Sequence, residues 1–332
     1  MASDGLAFAL NVTIACFAIF GNGLVIFVMT VRRKQFSSFT NRLIRHQSII
    51  DLISGLVFLA VTVIRQTSLL DNLEGNFSGW ILCKLVRSSF FVWGLSVAST
   101  YNLVVISLER FLATCYPVKH RNYCSLFKIK VSMCVAWIIG FTYAIRFIIL
   151  YIITDNKCGF DYSISPTARI VLFIVIILVE YIIPVILISF SYGRILLVLR
   201  QKLDNANANQ QNGILSKAKR NVIITLLIAG FMFFICCTPM QTLRVLLTIG
   251  VVSSSSSELV TILGQAFLGF IMCNMCVNPV VYCFKYEHFR TQLKQLVRKR
   301  FGRNRVRPGE ESTDGTSLAI DPIQNTVSTQ GI

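Results

Sequence analysis

The sequence predicts an all-α membrane protein: a seven-transmembrane helix bundle with a short amphipathic cytoplasmic helix after it. Three observations lead there. Of 332 residues, 54% are hydrophobic and only 14% charged, with a mean hydropathy of +0.65, whereas soluble domains carry about 25% charged residues. Seven apolar stretches reach the ~20 residues a helix needs to cross a hydrocarbon core. The charge is lopsided, 32 Lys and Arg against 15 Asp and Glu, and clustered between the stretches. A backbone in lipid must satisfy its own polar groups, and unbroken apolar runs of this length do so as helices; barrel strands would alternate every second residue. Disordered and collagen-like chains and cytosolic enzyme cores are excluded.

The elements follow in order. Residues 1–4 form a short extracellular segment ahead of the first span, 5–31, within the seven-span domain 5–284. That span has Asp4 before it and Arg32, Arg33 and Lys34 after it, the reverse of a cleaved signal peptide, so it reads as a signal-anchor with the amino terminus outside. The second span, 43–66, carries Asp51 about two turns inside. The third, 80–113, ends in Ser107-Leu108-Glu109-Arg110-Phe111. Adjacent Glu and Arg do not face each other as i,i+4 neighbours would, yet at a helix end they can pair. The fourth covers 128–152. The fifth, 167–199, sixth, 217–248, and seventh, 258–284, are interrupted by Pro184, Pro239 and Pro279, each of which removes a backbone bond and makes a hinge candidate. Over 285–301, Phe289, Leu293, Leu296 and Val297 share a stripe among basic residues, which suits a helix lying on the inner leaflet. The tail, 302–332, has too few apolar residues to fold and reads as disordered.

The charges orient the bundle. Segments 32–45, 110–130, 194–220 and 285–307 hold 25 of the 32 bases and are therefore cytoplasmic. The excess charge reflects topology and anionic inner-leaflet lipid, not a nucleic-acid groove. Eleven cysteines are too few for a disulfide scaffold, and most lie in apolar runs; Cys83 and Cys158 stand in polar connections and are the pair proposed as a disulfide. An ionisable group at membrane depth costs about 2.5–3.5 kcal/mol by insertion scales, so Asp51 marks function by default. Asn22, Ser99, Asn274 and Asn278 are candidates to meet it, either as a helix-packing cluster or as an ion-binding core that rearranges when helices move.

In order along residues 5–301 stand Gly21-Asn22, Asp51, Cys83, Glu109-Arg110-Phe111, Trp137, Pro184 with Tyr192, Phe233 through Pro239, and Asn278-Pro279-Val280-Val281-Tyr282. This set resembles the rhodopsin-like (class A) G-protein-coupled receptors, and the run Ser99–Pro117 is similar to invertebrate peptide-receptor-like orphan members. The resemblance implies that Arg110 pairs with Glu109 at rest and turns toward Tyr192, Tyr282 and the G protein on activation. It implies a sodium site of Asp51, Ser99, Asn274 and Asn278, and no other cofactor. It also implies the Cys83–Cys158 disulfide, Trp80 as the first-outer-loop tryptophan, and Phe289 as anchor of the cytoplasmic helix. A heterotrimeric G protein, arrestin, the lipid bilayer and an extracellular ligand are the implied partners, in a multi-pass plasma-membrane protein.

Departures qualify the carry-over. Phe111 replaces the usual tyrosine, Cys237 stands where the family places a tryptophan, leaving Phe233 to carry more of the coupling, and Lys219 occupies the place of an acid that would lock Arg110. Raised basal activity is expected from Lys219. Cys83 to Arg110 is two residues longer than usual, which requires a bulge or a shifted helix start.

For the ligand, the seventh span has no lysine to hold retinal, and Phe90-Phe91-Val92-Trp93-Gly94 has no aspartate for an amine. Of the bases in the outer half, Arg65, Arg146 and Arg169 read as snorkelling, whereas Arg87 and Arg244, with the acid Glu180, are the candidate ligand contacts. A small peptide is the favoured ligand; a small anionic or lipid ligand, and a transporter or channel, are the alternatives. The three histidines sit near the cytoplasmic face and form no nucleophile–base or metal constellation, so an enzyme is not expected.

Overall fold

The computed structural model describes residues 2–70, 73, 76–161, 163, 165–206, 213–249, 251 and 258–301. The tail 302–332 and part of the loop Gln201–Ser216 lie outside them. Seven described helices are long and apolar enough to cross a membrane. They are α1 (Ala2–Val31), α2 (Phe39–Arg65), α3 (Phe77–Ile81) running into α4 (Phe90–Cys115), α6 (Leu126–Leu150), α7 (Pro166–Ile177) running into α8 (Ile183–Ala206), α9 (Gly213–Thr248) and α10 (Glu258–Lys285). Short α5 (Pro117–Tyr123) follows α4, and α11 (Glu287–Phe301) follows α10. Helix α1 starts at Ala2, so residues 2–4 join the first helix instead of standing apart from it; nothing in Ala-Ser-Asp breaks a helix.

Burial is inverted relative to a soluble domain. Phe20 and Phe284 are 76% and 71% exposed, while Asn22, Asp51 and Asn102 are wholly buried. Apolar surface outside and polar groups paired inside is the arrangement a lipid solvent demands. The largest apolar core, with Val25, Ile44, Ile106, Phe233 and Tyr282, lies toward the end rich in bases.

Two close approaches tie the bundle. A Cβ on Gly140 would lie 2.4 Å from the Gly94 carbonyl and 2.8 Å from the Ala98 amide, so α6 touches the backbone of α4 directly. A Cβ on Gly21 would lie 2.9 Å from the Pro279 ring, joining α1 to α10.

The extra length between Cys83 and Arg110 is absorbed where α3 meets α4. Residues Leu82–Arg87 form a π-helical turn in which Ser88 N–H donates to the Cys83 carbonyl, and Ser89 then adopts a left-handed conformation with φ 59°. A second π turn, Leu178–Ile182, precedes Pro184 in the fifth span.

One end of the bundle carries a hairpin, β1 (Tyr151–Thr154) against β2 (Lys157–Phe160), antiparallel with Thr154 opposite Lys157. Asp155 and Asn156 both have positive φ, as a two-residue hairpin turn of type I′ requires. The Cys83–Cys158 disulfide staples this hairpin to the π turn. At the opposite, basic end, α11 packs through fully buried Phe289 against Phe36. Tyr286 in the joint before it donates to Asn41 Oδ1 at 2.8 Å; burial pushes its phenol up to about 12, so the donor is retained at any cellular pH.

Candidate functional site

At the basic end, Glu109 and Arg110, in the last two turns of α4, form a two-point ion pair, Nε to Oε2 at 2.7 Å and Nη2 to Oε1 at 2.8 Å. Thr40 of α2 donates to Oε2 at 2.8 Å, and His120 Nε2 of α5 lies 3.0 Å from Oε1. The carboxylate therefore binds three helices. Tyr192 and Tyr282 are buried nearby in the main core, and neither hydroxyl has a hydrogen-bond partner among the described residues. An unpaired buried hydroxyl costs roughly 1–3 kcal/mol, which a rearrangement supplying a partner would recover. Phe233 and Cys237 pack in the same core. The Lys219 side chain lies outside the described residues.

The middle of the bundle is crossed by a polar chain. Trp137 Nε1 donates to His46 Nε2 at 2.9 Å, and His46 Nδ1 is 2.8 Å from Asn102 Oδ1. Asn102 Nδ2 donates to Gln47 Oε1 at 2.7 Å, and Gln47 Nε2 donates to Asp51. Ser99 and Asn278 donate to Asp51 at 2.6 and 3.0 Å. Asn274 does not join them; it lines a small cavity beside Asp51. Asn22, a sequence candidate for Asp51, is a correction: its amide donates to the Ala18 and Met275 carbonyls, each at 2.9 Å. Met275 is four residues before Pro279, whose missing N–H leaves that carbonyl free, and Asn22 supplies the donor.

Toward the hairpin end, Glu180 sits buried in its π turn and gathers Tyr143 and Arg146 from α6 with Gln241 and Arg244 from α9. Tyr143 and Arg244 donate to it directly, Gln241 Nε2 at 3.0 Å, and Arg146 lies 3.6 Å away. Here the sequence reading needs two corrections. Arg87 is exposed and is not among the partners of Glu180. Arg146 does not snorkel but lies over the Tyr143 ring at 3.8 Å, with its buried Nη1 unpartnered among the described residues. Arg169 is exposed. Arg65 is exposed and donates to the Arg87 carbonyl and Ser89 Oγ at 2.8 and 2.7 Å.

Two guanidiniums around one carboxylate leave the cluster with an excess positive charge. Arg244 also lies 5.3 Å from the Trp93 ring centroid. Trp93 in turn lines a cavity of about 350 Å³ at the hairpin end, together with Asn11, Arg65, Ser89, Gln265 and Met272. That cavity and the charge cluster share one indole as their wall.

Residues 21–282 match the family described as 7 transmembrane receptor (rhodopsin family). The chain belongs to that family; it is a G-protein-coupled receptor and not an enzyme, and the transporter and channel reading falls. It is 26% identical to galanin receptor 2b of Danio rerio, covering 86% of this chain and 74% of that one. It is 28% identical to neuropeptide FF receptor 2 of Rattus norvegicus over 87% and 71%, and 26% identical to trace amine-associated receptor 1 of Mus musculus over 82% and 83%.

Proposed function

We propose that this receptor spans the plasma membrane with its hairpin end outside, binds a small peptide in the cavity beside Trp93, and activates a heterotrimeric G protein at its basic end. The Glu109–Arg110 pair, set against two unpartnered tyrosine hydroxyls, carries the switching part of this reading. Releasing Arg110 toward Tyr192 and Tyr282 exchanges one set of partners for another, a two-state element of the kind a ligand can bias. Pro184, Pro239 and Pro279 are the hinges for that exchange. Orientation rests on the clustering of bases at the Arg110 end. A peptide is favoured because the similar receptors include those for galanin and neuropeptide FF, and because Phe90–Gly94 offers no carboxylate to an amine. Arrestin would engage the same basic end. The excess positive charge around Glu180 supports a second reading, a small anionic or lipid ligand.

The test is a G-protein activation screen in cells expressing the chain, with amidated and with acidic peptides, and with Arg110→Ala and Arg244→Ala in parallel. An active peptide whose response is lost with both substitutions supports the scheme. Response only to non-peptide anions would move the assignment to the second reading, and a response unchanged in Arg110→Ala would overturn the switch.

A further inference from the structure

The sodium ion that the family resemblance places at Asp51 does not fit the residues found there. Asp51 Oδ1 accepts from Ser99 Oγ at 2.6 Å and Gln47 Nε2 at 3.2 Å; Oδ2 accepts from Gln47 Nε2 at 3.1 Å and Asn278 Nδ2 at 3.0 Å. A carboxylate has about four lone-pair positions, and three donor groups occupy most of them, with the Gln47 amide lying across both oxygens. Gln47 Nε2 also lies 2.5 Å from Ser99 Oγ. The oxygens that would converge on a small cation converge instead on a neutral amide nitrogen.

The direction of that amide is set by its other end. Gln47 Oε1 accepts from Asn102 Nδ2. A flipped amide would press its oxygen against the carboxylate and its –NH2 against that of Asn102. The donors behind it run one way, from Trp137 through His46 and Asn102 to Gln47, so each polarises the next toward Asp51. The adjoining cavity, lined by Asp51, Ser54, Ser96, Ser99 and Asn274, is about 20 Å³, room for about one water but not for an ion that keeps waters of its own.

We propose that Gln47 takes the place of a bound sodium ion, holding Asp51 and Ser99 together with an amide donor, and that this receptor is consequently insensitive to sodium. The inference uses family membership and these side chains only, and is independent of the ligand class.

The full-length receptor, purified in detergent, is unfolded thermally in sodium chloride and in choline chloride of equal ionic strength. The wild-type midpoint is expected to be the same in both salts. Gln47→Leu, which removes the amide at similar volume, is expected to gain a sodium-specific rise on the order of a few degrees, lost again when Asp51→Asn is added. A sodium-specific rise in the wild type that Asp51→Asn abolishes would overturn the proposal, as would no sodium response in both Gln47→Leu and Gln47→Ala. Should both variants fail to fold, ²³Na line broadening decides: wild type broadening the signal no more than Asp51→Asn supports the proposal, and excess broadening overturns it.

Discussion

Glu109 holds three side chains from α2, α4 and α5 at once, and Glu180 holds four from α6 and α9. Charge-assisted bonds of this kind are about twice as strong as neutral ones. Glu109→Gln keeps the shape and removes the charge; it is expected to raise ligand-independent signalling severalfold, read as nucleotide turnover on the G protein at equal cell-surface level. Glu180→Ala acts differently, since it leaves Arg146 and Arg244 without their counter-ion. Removing one partner of a buried pair costs on the order of 3–5 kcal/mol, so surface expression is expected to collapse, whereas the double change Glu180→Gln with Arg244→Gln restores part of it. The two acidic centres were legible in the sequence to different degrees. Glu109 and Arg110 are adjacent, so their pairing needs no knowledge of the fold. Sequence does not join Gln47, Asn102 and His46, and it places the histidine only near the cytoplasmic face, because a polar residue on a helix does not announce a partner on another helix, 55 residues away for Gln47 and Asn102. Arg146 reads as interfacial because its position along the span is visible in sequence, and the direction of its side chain is not.

The number and order of the spans follow from run length alone, and the two-residue excess after Cys83 was countable before it could be located. What the sequence does not display is the π turn itself. Leu82–Arg87 contains no helix breaker, so the local widening of the helix shows only in the fold, in the bond from Ser88 N–H to the Cys83 carbonyl. The cost is concentrated at Ser89, whose left-handed backbone is disfavoured for any residue with a side chain by about 1–2 kcal/mol. Ser89→Gly is therefore expected to keep or raise the thermal midpoint of the purified receptor, after allowing for the lost Arg65 bond. Ser89→Val, β-branched and without a hydroxyl, is expected to lower it by several degrees. The same reasoning explains Asp155 and Asn156, residue types that tolerate positive φ and so turn the hairpin without a glycine.

For the molecule as a whole, the sorting of charge by span predicts its orientation in a way that needs no ligand. A glycosylation sequon placed on an extension ahead of Met1 is expected to be glycosylated in cells, and one placed within 302–332 is not; the reverse pattern, read by enzymatic deglycosylation and gel shift, would invert the proposed topology. The contacts also divide the bundle mechanically. Where Gly140 lets α6 rest on the backbone of α4, and the hairpin is bolted across the top of the same span, the two backbones touch with no side chain between them. The hinge candidates Pro184, Pro239 and Pro279 lie elsewhere, in the fifth, sixth and seventh spans. Under the proposed switch the third and fourth spans are a stator, and the stroke a ligand produces is taken up by the remaining helices turning against it.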